Sequence, residues 1–257
     1  MDNLRLTVVQ SDLSWENEPS NFNHFYKILK SNNLGDIVVL PEMFSTGFSM
    51  KPKDLVHFSN GEALKWMQQM AKEFKTALVG SAIFWEGNKA FNRLYFVKPN
   101  GEFSFYNKRH LFTLAGEQEQ YTAGEELLIV EYKDWRIQPF ICYDLRFPAW
   151  CRNTQNVDLQ IFVANWPERR VFAWDTLLKG RAIENMCYIA ASNRVGADGN
   201  GVYHSGSSVV LNELGQTLLS FESGKTELKT IEISKETLLK SRKRFQFLAD
   251  ADSFKLT

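Results

Sequence analysis

Apolar clusters of strand length alternate with helix-period patterns through nearly all of the 257-residue chain, and this alternation restricts the fold more than any other feature. Residues 6–9 read as a first strand. Phe22, Phe25, Tyr26 and Leu29 then repeat at i, i+3, i+4 and i+7, the spacing of one helix face. A short buried strand over 36–40 runs into a loop rich in Ser, Thr and Gly. Leu64, Met67, Ala71 and Phe74 mark a second helix, and further strands are predicted over 77–84 and 94–97. Pro99-Asn100-Gly101-Glu102 has the composition of a hairpin turn. In the second half, strands over 127–132 and 136–141 flank a turn at Lys133-Asp134, and a helix is predicted through 147–153. A strand over 161–164, a long helix over 171–186 and a strand over 188–191 follow. Two late strands lie about a turn at 212–215, with another over 230–233 and a terminal helix. No Pro-, Ser- or Gly-rich linker interrupts the pattern, so we read one domain over 1–257 with a short C-terminal tail from about residue 245. Alternating β and α elements with several hairpins favour two sheets packed face to face, with helices outside.

Charge excludes some partners. Thirty basic residues balance thirty acidic ones, which leaves no global field to draw in nucleic acid or an anionic membrane. The run KSRKR at 240–244 is the one notable basic cluster, and on a helix it reads as a solvated face or a subunit contact. The N-terminal segment lacks the basic-then-apolar pattern of a signal peptide, and no apolar stretch approaches the ~20 residues needed to span a bilayer. Cys142, Cys151 and Cys187 lie in no metal-ligand spacing and cannot all pair. That points to a reducing cytoplasm and leaves room for one functional thiol. The absence of a C-x-x-C pair argues against a thiol-redox protein.

Three segments place reactive groups at the ends of apolar strands. In Val39-Leu40-Pro41-Glu42-Met43-Phe44 a carboxylate follows a buried strand, where partial desolvation can raise its pKa toward that of a useful base. An exposed strand-end glutamate is the plainer alternative. In Tyr106-Asn107-Lys108-Arg109-His110-Leu111-Phe112 a basic triplet lies between an aromatic strand and an apolar pair, so at least one cation is expected against a core. In Ile141-Cys142-Tyr143-Asp144-Leu145-Arg146-Phe147-Pro148 a cysteine directly follows a strand, with a helix expected to start near Pro148. Such a turn exposes sulfur beside free backbone N–H groups, which favours a thiolate and a developing oxyanion. Cys151, expected in that helix, and Cys187, at a helix–strand junction, read as inert buried thiols.

The segments VLPEMFSTGF, NKRHLF and ICYDLRFP resemble, in order, the three catalytic segments of the nitrilase superfamily. ANWP at 164–167, RAIEN at 181–185, ASN at 191–193 and GSS at 206–208 extend the resemblance over nearly the whole chain. The ERR after ANWP, the AGEQEQY segment and the tail RFQFLADADSF are most similar to the omega-amidase branch, which acts on 2-oxo-dicarboxylic acid monoamides. The resemblance implies a four-layer αββα sandwich of two mixed sheets. It further implies Cys142 as nucleophile, Glu42 as general base and Lys108 as the cation for the tetrahedral intermediate. Lys108 and the Tyr143 backbone N–H would form the oxyanion hole, and no metal or organic cofactor is required. A second active-site glutamate is assigned to Glu117, with Glu119 as the alternative.

A substrate of that class carries a carboxylate, for which Arg146, Arg169 and Arg170 are the candidates, Arg169 favoured because it follows the Asn165-Trp166-Pro167 loop. Arg suits the task because its planar fork matches a carboxylate bidentately. Arg181 and Glu184, three apart on the long helix, are expected to pair with each other. Trp166, Phe44 and Phe112 could line the pocket or belong to the core. An N-carbamoyl amino acid amidohydrolase, a nitrilase with the same triad, and a non-catalytic binding protein on this fold stay open as alternatives. The aromatic segment over 245–254 is too apolar for a free tail, so a homodimer or larger homo-oligomer is expected.

Overall fold

The computed structural model describes residues 3–55 and 61–254. Two six-stranded mixed sheets form its centre. The first contains β1 (Leu4–Gln10), β2 (Ile37–Val39), β3 (Ala77–Glu86), β4 (Lys89–Val97), β5 (Phe103–Asn107) and β14 (Glu227–Ile233), in the order β14-β1-β2-β3-β4-β5. The second contains β6 (Val130–Tyr132), β7 (Trp135–Ile141), β8 (Leu159–Ala164), β9 (Tyr188–Asn193), β12 (Val209–Leu211) and β13 (Thr217–Ser220), in the order β13-β12-β9-β8-β7-β6. In each sheet three adjacent strands run parallel, β1-β2-β3 in one and β7-β8-β9 in the other, and every pairing outside these is antiparallel.

Strand alternation explains the layering. Leu4, Leu6, Val8, Ile37 and Val39 point from the first sheet into a core shared with Ile137, Leu159 and Ile161 of the second. Their neighbours Val9, Val38 and Leu78 point outward, against Phe25 and Leu29 of α1 (Glu18–Lys30) and Met67 and Met70 of α2 (Glu62–Phe74). On the second sheet Trp174, Leu178 and Ala182 of α4 (Val171–Asn185) and Leu238 of α5 (Lys235–Phe245) are buried in the same way. This is the αββα sandwich. A four-residue helix, α3 (Glu117–Gln120), and a separate hairpin of β10 (Val195–Ala197) and β11 (Tyr203–Ser205) complete the elements. The hairpin had no counterpart in the hydrophobic pattern, because its short strands, Val195-Gly196-Ala197 and Tyr203-His204-Ser205, carry no apolar run.

One expectation requires correction. The helix over 147–153 does not form. A 3-10 turn over Cys142–Arg146 ends at Phe147, whose backbone has left the helical region (φ −112, ψ 89), which a following proline ring disfavours. Pro148 thus ends the helical segment rather than opening one, and Cys151 lies buried in the turn beyond it. The basic run at 240–244 sits on α5, where Lys240, Lys243 and Arg244 are exposed as a solvated face requires, while Arg242 turns to the fold, pairing with Asp158 at 3.2 Å and donating to the Met186 carbonyl at 2.7 Å.

Candidate active site

Parallel strands gather their carboxyl ends at one edge of a sheet, where ligands of open α/β sheets usually bind. Glu42 follows β2, Cys142 follows β7 and Asn165 follows β8, while Lys108 follows β5. Glu42 and Lys108 therefore come from one sheet, and Cys142 and Asn165 from the other. Gly124 is needed at the Lys108 segment. Its N–H bonds to the Lys108 carbonyl at 2.8 Å, and a Cβ there would stand 2.2 Å from the Asn107 carbonyl oxygen.

The charged core of the site is buried and tightly bonded. Lys108 Nζ donates to Glu42 Oε1 at 2.9 Å and to both Glu117 oxygens at 3.0 and 2.9 Å. Glu42 Oε1 also accepts Asn92 Nδ2 at 2.8 Å, and its Oε2 accepts the Asn165 N–H at 2.8 Å. Asn165 Nδ2 closes the arrangement on the Glu42 carbonyl at 2.6 Å. Glu117 Oε2 in turn accepts the Phe112 N–H at 2.6 Å. Both carboxylates are fully buried, whereas Glu119 is exposed. Burial opposes the Lys108 charge, but Glu117 and Glu42 outweigh it and hold the ammonium above its ordinary range. Burial raises Glu117 above the usual carboxylate range against the pull of Lys108, and the Glu42 charge adds to the rise.

Cys142 opens the 3-10 turn with a left-handed backbone, φ 44, a conformation that costs roughly 1–3 kcal/mol and persists only where the surroundings over-determine it. Its thiol lies against the Glu42 carboxylate and the Asn165 N–H. Burial, then the Glu42 charge, push its pKa well above the thiol range, with Lys108 opposing. The resting sulfur is therefore protonated and needs a base, and the Glu42 carboxylate beside it can serve. Tyr143 is the second residue of the turn, where backbone N–H groups have no partner within the helix.

Cys142 and Lys108 open onto a cavity of ≈ 440 Å³ that also takes in Tyr143, Arg146, Trp166, Arg169, Arg170 and Phe112. Arg146 stacks over Trp166 at 4.9 Å and Arg170 over Phe112 at 4.9 Å. Arg169 is exposed, while the other two arginines are half-buried. Arg181 bonds to Glu184 at 2.7 Å and to the Leu145 carbonyl, away from the cavity.

Phe44 is a correction: its ring is fully buried among Phe22, Phe25 and Trp66 and does not reach the cavity. Met43 takes a left-handed backbone and the Phe44 N–H bonds to Ser81 of β3, which anchors the segment on the sheet's helix-covered side. Three contributors escaped the sequence reading. Asn165 ends a strand like Cys142 and could have been found by the same rule. Asn92, a polar residue within the apolar strand β4, gave only a faint signal. The cavity wall formed by Trp15 and the β10–β11 tip at Asp198 to Asn200 gave none.

A family model described as carbon-nitrogen hydrolase matches residues 5–243. The chain is 43% identical over 256 residues to omega-amidase YafV of Yersinia enterocolitica, with 100% of both chains covered. It is 31% identical over 228 residues to 2-oxoglutaramate amidase of Bacillus subtilis, covering 86% of this chain and 87% of the relative. The crystal structure of XC1258 from Xanthomonas campestris, a CN-hydrolase superfamily protein with an arsenic adduct in its active site, matches at a TM-score of 0.95 and 39% identity, again over 100% of both chains. The chain belongs to the carbon-nitrogen hydrolase family. It is an amidase of the nitrilase superfamily, a hydrolase acting on non-peptide carbon–nitrogen bonds. Among the described residues no helix is long and apolar enough to cross a membrane.

Proposed function

We propose that the protein hydrolyses the terminal amide of a small 2-oxo-dicarboxylic acid monoamide, such as 2-oxoglutaramate, through a thioester on Cys142. The observation that carries this reading is the occupancy of one cavity by the Cys142 thiol and by Arg146 and Arg170, neither paired with a carboxylate among the described residues. Burial, then the neighbouring Arg169 and Arg146, hold the Arg170 guanidinium below its ordinary range. A bound carboxylate would relieve that repulsion. The names of the omega-amidase and 2-oxoglutaramate amidase relatives support the same substrate class.

Glu42 takes the thiol proton as sulfur attacks the amide carbon. The resulting oxyanion faces the Lys108 ammonium and the Tyr143 N–H. Glu42 returns the proton to nitrogen, the carbon–nitrogen bond breaks, and ammonia leaves a thioester. Glu42 then takes a proton from water, which attacks the thioester, and the expelled sulfur is reprotonated as the acid departs. Splitting the reaction lets a polarisable nucleophile do what water does poorly. Glu117 accepts from the Lys108 ammonium through both oxygens and holds it beside Glu42.

Arg170, backed by Arg146, replaces Arg169 as the favoured carboxylate partner, because Arg169 is exposed while Arg170 is half-buried in the cavity that holds the Cys142 thiol. We expect wild type to prefer 2-oxoglutaramate over an uncharged amide of equal length by about 1.5–3 kcal/mol, the worth of a charge-assisted hydrogen bond. Arg170→Ala should erase most of that preference and raise KM more than it lowers kcat, since the contact exists in ground and transition states alike. Equal rates on acidic and neutral amides would remove the substrate assignment while leaving the catalytic groups in place. Ammonia released only from carbamoyl amino acids or nitriles would replace it.

We also propose a homo-oligomer in a reducing, cytoplasmic setting. Phe172 on α4 is 82% exposed, and Ile183, Phe247 and Phe254 are about half exposed, an apolar display that a partner copy would cover. Light scattering at micromolar concentration should give a dimer or larger, and a monomeric mass would refute the assembly.

A further inference from the structure

We propose that Asp144 is a positioning residue: one buried anion that ties the Cys142 turn of the second sheet to the Lys108 segment of the first, and so sets the sulfur against the Lys108–Glu42 pair. This rests on the roles given above to those three residues. Asp144 is fully buried and absent from the cavity lining, so it does not meet substrate. Its Oδ2 accepts the Tyr106 O–H at 2.8 Å and the Ile141 N–H at 3.1 Å. Its Oδ1 accepts the His110 N–H at 3.0 Å and pairs with His110 Nδ1 at 2.9 Å. Tyr106 and His110 stand two residues before and two after Lys108, and Ile141 immediately precedes Cys142.

The network is closed on both sides. The Tyr106 oxygen, besides donating to Asp144, accepts the Arg109 N–H at 3.2 Å and Trp150 Nε1 at 3.0 Å. His110 stacks on Phe147 with ring centroids 3.6 Å apart, so the imidazole is held by a ring from the nucleophile segment as well as by the carboxylate. The bond from Ile141 spans the left-handed Cys142 backbone and fixes the strained turn from within. The catalytic groups come from different sheets, and nothing in strand register sets their separation. Asp144 sets it. A carboxylate suits the place because it only accepts, and four donors converge on it. An amide in either orientation would turn an NH2 toward a backbone N–H, that of Ile141 or that of His110.

The test compares wild type, Asp144→Asn, Tyr106→Phe and Cys142→Ala, with circular dichroism and urea titration to establish folding. All four are assayed for ammonia release from 2-oxoglutaramate, and the three that keep Cys142 for its alkylation by iodoacetamide across pH. Displacing reacting groups by about an ångström can cost on the order of 10²-fold. Folded Asp144→Asn should therefore lose about that factor in kcat with KM nearly unchanged, and its alkylation rate and pH profile should shift with it. Tyr106→Phe, which removes one donor and keeps the carboxylate, should shift the same quantities in the same direction by less. If Asp144→Asn does not fold, Tyr106→Phe decides. A folded variant that loses stability but keeps the wild-type kcat and alkylation profile would overturn the positioning role. Wild-type turnover by Cys142→Ala would instead overturn the catalytic reading beneath it.

Discussion

Cys142→Ala should abolish ammonia release and Cys142→Ser should nearly do so, while Cys151→Ala and Cys187→Ala keep most of the activity. All three thiols are free, so the distinction comes from position. Cys142 faces the cavity at a strained turn with a carboxylate beside it. Cys151 is fully buried, and its Sγ donates to the Asp144 carbonyl at 3.2 Å. Cys187 is buried where α4 meets β9, and burial pushes its thiol to about 12. Serine keeps the shape at residue 142 but presents an alkoxide precursor far harder to deprotonate, which Glu42 cannot activate comparably. Assaying the four variants for turnover, and mapping the site of stoichiometric iodoacetamide inactivation, checks the assignment. Inactivation that maps to Cys151 would move the nucleophile.

The second large effect is expected at the two partners of the thiol. Glu42→Gln preserves volume but cannot accept a proton, so kcat should fall by about 10²–10⁴. Lys108→Ala removes the charge aimed at the oxyanion, with an expected loss of roughly 10²–10³ or more. It also leaves the Glu42 and Glu117 carboxylates buried without their shared cation, a loss of about 3–5 kcal/mol when one member of a buried ion pair is removed. The sign of the pH dependence follows from Glu117, whose folded pKa is raised. It binds its proton more tightly folded than unfolded, so its contribution to stability is present at low pH and is lost as pH rises through the folded value. Without Lys108 that loss deepens. The melting temperature of Lys108→Ala should therefore fall further below wild type as pH increases, a comparison made by thermal denaturation across pH. Wild-type kcat in either folded variant would contradict the roles assigned.

Much of this site was legible in the sequence because its groups sit where apolar runs stop. A buried strand that ends in Glu42, and another that ends in Cys142, leave a polar or reactive atom at the edge of the core, and the fold brings those edges together. Lys108 was less well determined. The residue pattern put one cation of the triplet Lys108, Arg109 and His110 against a core, and only the resemblance singled out the lysine. Glu117 was reached only through the resemblance, and the structure brings it and Gly124 to the Lys108 segment through contacts that no local pattern encodes. Phe44 misled because its place in the catalytic segment suggested the cavity, while the left-handed Met43 sends its ring to the helix-covered face. The arginines show the same limit. Arg169 and Arg170 differ in exposure by their place in one short 3-10 turn, a difference of direction invisible to spacing.

The most direct measurement is acid quenching of wild-type enzyme during turnover of 2-oxoglutaramate, followed by mass spectrometry of the peptide that contains Cys142, with hydroxylamine added in a parallel reaction. The expected result is an adduct on Cys142 equal in mass to the substrate less ammonia. Hydroxylamine should divert acid to hydroxamate while the ammonia released in acylation still accompanies each turnover. Turnover with Cys142 unmodified and no partition to hydroxamate, or an adduct on another residue, would contradict a thioester formed by Cys142 with Glu42 and Lys108.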